Sequence, residues 1–519
     1  MSAHEKFASA VPKNEQGQMR NRCIYRVSMF MWFLLSSIFT GAQSNKSFNI
    51  IYILTDDHRY DFMGFTGKVP GLQTPGLDQL AREGISIKNA FVTTALCSPS
   101  RASILTGQYA HTHTVVDNDA PLPDNLVFFP QYLQKQGYKT AFMGKWHMGN
   151  TGDQPQPGFN HWISFEGQGK YYGNRLNIDG KKVQTGNDDY ITDYLTTKAI
   201  DWMSTVKNGP FCLYLSHKGV HAEFQPAKRH RGKYKDLPVV CPPSMYLTAG
   251  DSSKDFGVRT APKTRVNYRD IPKWVKEQRY SWHGVDYMYH GQIDFDDFYH
   301  QYLETLQSVD ESVQQVLNWV EKNGLRENTV VVYMGDNGFL FGEHGLIDKR
   351  NAYEESMRVP LLMWAPSIIK PNTVLEQMIL NIDLAPTFLE LAGIKTKPVQ
   401  MQGNSFLPLL RGQQTPWRNR VFYEYYWESA FPQTPTIFAV RSDRYKYIFN
   451  YGVWDINELY DLQQDPNEMN NLIRNKQMDT VGMELRKQLF DWLEQTKGLQ
   501  IPLKKQQGRR FDNQYTGSY

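Results

Sequence analysis

Four short apolar runs, each closed by polar residues, give the chain its first legible order. Phe48-Asn49-Ile50-Ile51-Tyr52-Ile53-Leu54 reads as a buried strand that stops at Thr55-Asp56-Asp57. Gly137-Tyr138-Lys139-Thr140-Ala141-Phe142-Met143 leads into Gly144-Lys145-Trp146-His147, and Phe211 to Leu215 runs into Ser216-His217. Thr329-Val330-Val331-Val332-Tyr333-Met334 ends in Gly335-Asp336-Asn337-Gly338. Between these runs the period lengthens. Pro75 through Glu83 predicts a short helix, with Pro in its first turn and Gly84 at its end. From Gln301 to Asn323, Leu306, Val309, Val313, Val316, Leu317 and Val320 recur at helical spacing. Strands alternating with helices predict an α/β fold with a mixed, mostly parallel sheet covered on both faces. Ligands of such sheets bind beyond the carboxyl ends of the strands. Solvated loops explain any one polar strand end; four together predict one shared site.

Residues 160–300 are rich in Gly, Tyr, Lys and Pro without clear periodicity, and loops around the rim of the site are expected there. After Arg411-Gly412 the pattern changes to short aromatic runs: Val421-Phe422-Tyr423-Glu424-Tyr425, Ile437-Phe438-Ala439-Val440 and Tyr445-Lys446-Tyr447-Ile448. These predict antiparallel strands of a smaller α+β C-terminal subdomain, with a helix around Met483 to Leu493. A main domain over residues 43–412 and a subdomain over 413–519 follow, and the polar, basic last residues should hang loose.

Charge excludes one class of partner. Lys+Arg 57 nearly balance Asp+Glu 53, so the net +4 gives no basic surface for nucleic acid. Aromatic residues reach 13%, enough to fill a core and still offer faces to carbohydrate rings. The N-terminus has the form of an export signal. Arg20, Arg22 and Arg26 precede an apolar run from Val27 to Leu35 that is too short to span a bilayer, and Thr40-Gly41-Ala42 offers small residues for cleavage. Residues 1–42 are expected to be removed, with Met19 the more usual start, and the mature chain is expected in the periplasm or the medium. No later segment has the length and apolarity of a membrane anchor. Cys23 leaves with the signal, and Cys97, Cys212 and Cys241 are too few for a disulfide framework.

Cys97-Ser98-Pro99-Ser100-Arg101-Ala102-Ser103-Ile104-Leu105-Thr106-Gly107 resembles the signature of the formylglycine-dependent sulfatases, Cys-x-Pro-Ser-Arg followed by Leu-Thr-Gly, at every fixed position. Further segments are similar to that family. They are Thr74 to Gly84 (with Gly76 where Asn is usual), Gly144-Lys145-Trp146-His147, and Glu458-Leu459-Tyr460-Asp461-Leu462 with Asp465-Pro466 and Asn471-Leu472. The resemblance runs from about Phe48 to Leu472 and implies the alkaline-phosphatase-like fold. It also implies that a maturating enzyme converts Cys97 to formylglycine.

A sulfate ester is anionic, so a nucleophile needs a hard cation with oxygen ligands to offset repulsion. Asp56, Asp57, Asp336 and Asn337 offer such oxygens; the resemblance implies Ca²⁺, with residue 97 completing the set. The resemblance also implies the other roles. Arg101 and Lys145 orient the hydrated formylglycine, His147 accepts its proton, His221 protonates the leaving alcohol and Lys349 contacts the sulfate. Val220 stands before His221 where the family usually has Pro. His217 has a catalytic role or none, and His344 binds substrate or caps a turn. The sequence reads as a hydrolase of sulfated carbohydrate, with algal ulvan favoured over glycosaminoglycan. A phosphatase or phosphodiesterase of the superfamily normally relies on two metals and a Ser or Thr nucleophile. A non-catalytic glycan-binding protein should have lost part of the set.

Overall fold

The chain from Asn49 to Thr55 has no polar face: Ile50, Ile51, Tyr52, Ile53 and Leu54 are all fully buried. A strand of that kind belongs in the middle of a sheet covered on both sides, and the computed structural model places it there. The structure describes residues 47–149, 152–248, 268–452 and 455–502. The expected signal and the basic C-terminal tail lie outside the described residues.

Strand β1 (Asn49–Thr55) runs parallel to β7 (Phe211–Ser216) on one side and to β8 (Thr329–Gly335) on the other. Beyond β7, again parallel, lies β3 (Lys139–Lys145). The four runs picked out by the sequence pattern are therefore four neighbours, in the order β8-β1-β7-β3. Their register fixes where they stop, because Thr55 pairs with Gly335, and both Leu54 and Gly144 pair with Ser216. All four polar tails emerge at the same edge.

The sheet extends past β8 through β11 (Leu361–Trp364), then β2 (Ile85–Phe91) and β12 (Thr373–Leu380), with β11 antiparallel to both neighbours. Past β3 it continues through β4 (His161–Phe165), β5 (Arg175–Ile178) and β6 (Lys181–Gln184). The order is β12-β2-β11-β8-β1-β7-β3-β4-β5-β6. A ribbon of β9 (Leu340–Phe341) and β10 (Ile347–Asp348) sits beside the polar edge. On one face the helix Phe295–Lys322, capped by the Asp294 carboxylate, packs with the helices Pro75–Glu83 and Ile191–Val206. On the other face lie Cys97–Thr106, Phe129–Lys135 and Leu384–Leu391.

Residues 160–300 are less loop-like than expected. They contain β4, β5, β6 and a helix whose buried Ile191, Leu195, Ala199 and Met203 recur every fourth residue. The C-terminal strands β13 (Arg420–Tyr425), β14 (Thr436–Ser442), β15 (Tyr445–Tyr451) and β16 (Glu458–Asp461) form an antiparallel sheet. The helix Asp479–Thr496 covers it through Leu485, Leu489, Trp492 and Leu493. The 412/413 division read from the sequence falls just before β13. Across it Tyr423, Ile437 and Ile448 share one core with Tyr52 of the main sheet and Leu105 of the helix Cys97–Thr106.

Candidate active site

The tails of the central strands are joined by backbone hydrogen bonds before any side chain acts. Asp336 N donates to Thr55 O at 2.9 Å, Asp56 N to Gly219 O at 2.9 Å, and Val220 N to Asp56 O at 2.7 Å. At Asp57 the chain takes a left-handed turn, φ 54°, and its N–H donates to Asp336 Oδ1 at 3.0 Å. This lattice holds Asp56, Asp57, Asp336 and Asn337 in one cluster, all nearly fully buried.

Cys97 enters from the other side as the first residue of the helix Cys97–Thr106, every residue of which is buried. Its Sγ lies 3.5 Å from Asp56 Oδ1 and 3.7 Å from Lys145 Nζ. Arg101, one turn further on, donates from Nε to Asp336 Oδ2 at 2.9 Å, with its Nη2 in ion-pair contact with the same oxygen at 2.8 Å. Its Nη1 donates to Lys145 O and Ser216 Oγ, both at 2.7 Å. Lys145 pairs with Asp56 and Lys349 with Asp57. Asn337 Nδ2 donates to Asp57 Oδ1 at 2.7 Å. His221 Nε2 stands 3.9 Å from Asp57 Oδ2. His147 has φ 50°, and its carbonyl accepts from the Ser98 hydroxyl. The structure thus brings together Asp56, Asp57, Cys97, Arg101, Lys145, His147, His221, Asp336, Asn337 and Lys349.

Charge is concentrated here. Burial, opposed by Lys349 and reinforced by the carboxylates of Asp56 and Asp336, pushes Asp57 up to about 7. Burial and then Asp56 raise Asp336 as well. At Asp56 burial acts upward too, but Lys145, His221 and Arg101 outweigh it and hold the carboxyl well below its usual range. Asp56, Asp57 and Asp336 each offer an oxygen, and these lie within 4.8 Å of one another. Asp57 Oδ2 and Asn337 Oδ1 are buried without a hydrogen-bond partner. Convergent oxygens, two of them unsatisfied, fit a hard divalent cation. Burial also drives the Cys97 thiol up to about 12 against Lys145 and Lys349. It stays protonated at neutral pH and is a poor nucleophile as it stands.

A cavity of about 890 Å³ opens over this cluster, with Asp57, His147, His221 and Lys349 on its lining. The sulfatase family model matches residues 48–394.

This chain belongs to the sulfatase family.

It is a sulfuric ester hydrolase with the alkaline-phosphatase-like architecture. A second model, N-sulphoglucosamine sulphohydrolase C-terminal, matches residues 342–495. N-acetylglucosamine-6-O-sulfatase of Bacteroides thetaiotaomicron is 33% identical over 88% of this chain and 87% of its own. The human N-acetylglucosamine-6-sulfatase is 32% identical over 77% and 71%. A solved structure bound to its substrate D-glucosamine-2-N,6-O-disulfate superposes with a TM-score of 0.74 at 32% identity, over 88% of this chain and 99% of that one.

In this sulfatase the two histidines left open by the sequence both turn away from the cavity. His217 Nε2 meets Ser312 Oγ at 3.0 Å on the Phe295–Lys322 helix, and burial lowers its pKa to about 3. His344 stacks on Tyr353 at 3.8 Å, and burial lowers it likewise. The sequence reading missed the walls. Arg350 pairs with Asp348 and, at 3.0 Å, with Glu428, and its guanidinium lies 3.7 Å over Phe431. His283 stacks on the same Phe431 ring at 4.6 Å and reaches Asp348 at 3.3 Å. The Asp348-Lys349-Arg350 run was a visible signal for one wall. Nothing periodic marks His283 or Phe431, which arrive from loops far apart in sequence.

Proposed function

We propose that this sulfatase removes sulfate from the 6-position of glucosamine-type sugars in sulfated carbohydrate, using residue 97 as formylglycine and one Ca²⁺. The observation that carries the reading is Cys97 in the buried cluster next to the cavity, in contact with Asp56 and Lys145, with a thiol too basic to act unmodified. The sugar assignment is supported by the two relatives above 30% identity that are named for N-acetylglucosamine 6-sulfate, and by the glucosamine disulfate in the solved structure. An ulvan-active sulfatase of Formosa agariphila is also similar, at 28% identity over 84% of this chain.

Asp56, Asp57, Asp336, Asn337 and residue 97 would hold the Ca²⁺, which offsets the charge of the incoming sulfate. In its hydrated form, formylglycine supplies one hydroxyl to attack sulfur and a second whose deprotonation releases sulfate. Arg101 and Lys145 orient these hydroxyls from buried, fixed positions. His147 takes the proton at its free Nδ1, which has no partner in the cavity floor. Lys349 holds the sulfate, and His221 gives a proton from Nε2 to the departing sugar oxygen. Because Cys97 through Arg101 are buried, a maturating enzyme must read this segment before the chain folds. Export to the periplasm or medium rests on the pattern of residues 20–42.

Mass spectrometry of the peptide containing residue 97 from active enzyme tests the modification. An aldehyde is expected in place of the thiol, and unmodified cysteine in fully active protein refutes the reading. Assays on N-acetylglucosamine 6-sulfate, ulvan oligosaccharides and an aryl phosphate test the substrate. Preference for ulvan overturns the sugar assignment, and preference for the phosphate overturns the enzyme class.

A further inference from the structure

The buried cations around the reaction centre come with their counter-charges. Arg101 has Asp336, Lys145 has Asp56, Lys349 has Asp57, and Arg350 has Asp348 and Glu428. Lys218 does not. It lies just past the end of β7, 5% exposed, on the cavity lining beside His221. Among the described residues no carboxylate is in ion-pair contact with its ammonium. The nearest compensation is the face of Tyr171, 4.8 Å from Nζ. A π face recovers only part of what an ammonium loses on leaving water. Burial, with Lys145 adding to it, lowers Lys218 to about 8, so it remains cationic at neutral pH.

Its position narrows what it serves. Lys218 lines the cavity together with Asp57, His147, His221 and Lys349, on the wall that carries the reacting groups. Tyr171, whose ring carries Lys218, also donates its hydroxyl to His221 O at 2.7 Å, so one side chain fixes both. We propose that Lys218 contacts the sulfate group being transferred, as a further substrate-binding residue next to the leaving-group histidine. The anion that completes its environment arrives with the substrate. This rests on residue 97 marking the reaction centre.

The test compares Lys218→Met and Lys218→Arg with wild type, and with Cys97→Ala as a separate check on the centre. Substrates are an aryl sulfate, a sugar monosulfate and a sugar disulfate, with inorganic sulfate as inhibitor. Lys218→Met should lose about ten- to hundredfold in kcat/KM on all three, the range of one charged hydrogen bond. Inhibition by sulfate should weaken in parallel, and Lys218→Arg should recover part of both. The Tm of Lys218→Met should not fall, because an unpaired buried charge has been removed. Wild-type kinetics in Lys218→Met with Cys97→Ala dead overturns the role of Lys218 alone. A lowered Tm with unchanged sulfate inhibition makes Lys218 structural. A loss confined to the disulfate moves it to a second anion on the sugar. Activity in Cys97→Ala overturns the centre itself.

Discussion

Replacing His221 with alanine should separate substrates by their leaving group. The ring Nδ1 lies against the Ala222 carbonyl and so carries a proton, which leaves Nε2 as the atom facing the cavity, 3.9 Å from Asp57 Oδ2. To donate from Nε2 the ring must be an imidazolium. Burial, with Lys145 behind it, holds His221 well below the usual imidazole value while Asp56 pulls it up, so the acid form requires the added negative charge of a bound sulfate beside the ring. General acid catalysis contributes roughly 10²–10⁴-fold where the departing oxygen is basic, as a sugar hydroxyl is. A nitrophenolate leaves without help. His221→Ala should therefore lower kcat/KM on N-acetylglucosamine 6-sulfate at least about a hundredfold more than on 4-nitrophenyl sulfate, a difference of about 2.7 kcal/mol in barrier. The ring is mostly buried but pairs weakly, so the Tm should shift little beside that loss. Steady-state kinetics on the two substrates with both proteins is the assay. Equal fractional losses refute the assignment. The proton would then come from His147, which lines the cavity, rather than from His217, which faces Ser312.

Two further outcomes follow from buried charges. Chelation should abolish activity and lower the Tm, and Ca²⁺ should restore both in a concentration-dependent way; full activity in rigorously metal-free enzyme contradicts the site. Asp336→Ala should cost fold as well as activity, because it removes the nearer of the two carboxylates that face the buried Arg101 guanidinium, up to about 3–5 kcal/mol for a broken buried pair. Activity loss with an unchanged Tm would disprove that coupling. His111 tests the C-terminal sheet. Burial works to lower it, but the Glu424 carboxylate at 2.7 Å, with the Thr496 carbonyl, raises its pKa above the ordinary value. A raised folded pKa stabilises fully below about 6.5 and fades as pH rises through the folded value. His111→Gln should therefore lower the Tm more at pH 5.5 than at pH 9, and a pH-independent loss would show that packing alone is at stake.

The central strands were legible because a strand buried on both faces must be apolar throughout, and their polar stops are abrupt. β1, β3, β7 and β8 each lie within a residue or two of the run that predicted them. The helix Ile191–Val206 was hidden by Thr, Asp and Trp among its every-fourth apolar positions. β5 and β6 were hidden by their length of four residues, with β6 exposed throughout. Cys97, Arg101 and Lys145 were legible through a contiguous motif, yet the reason for Arg101, a clamp between Asp336 and the Lys145 carbonyl, exists only in three dimensions. His217 shows what a strand end alone leaves open. The sequence allowed it a catalytic role or none, and the structure turns it toward the long helix while Lys218 takes the cavity side.

The parallel register of β8, β1, β7 and β3 has one more consequence. Asp56, Asp57, Lys145, His147, His221, Asp336 and Asn337 stand at or just past the ends of adjacent rails, whereas Tyr171, His283, Arg350 and Phe431 line the cavity from segments the rails do not carry. Substitution can act on the second set while leaving the first untouched. A chain built this way is a fixed cutter with an exchangeable fixture, and a new sulfated sugar can be accommodated by swapping a loop rather than by reinventing the chemistry.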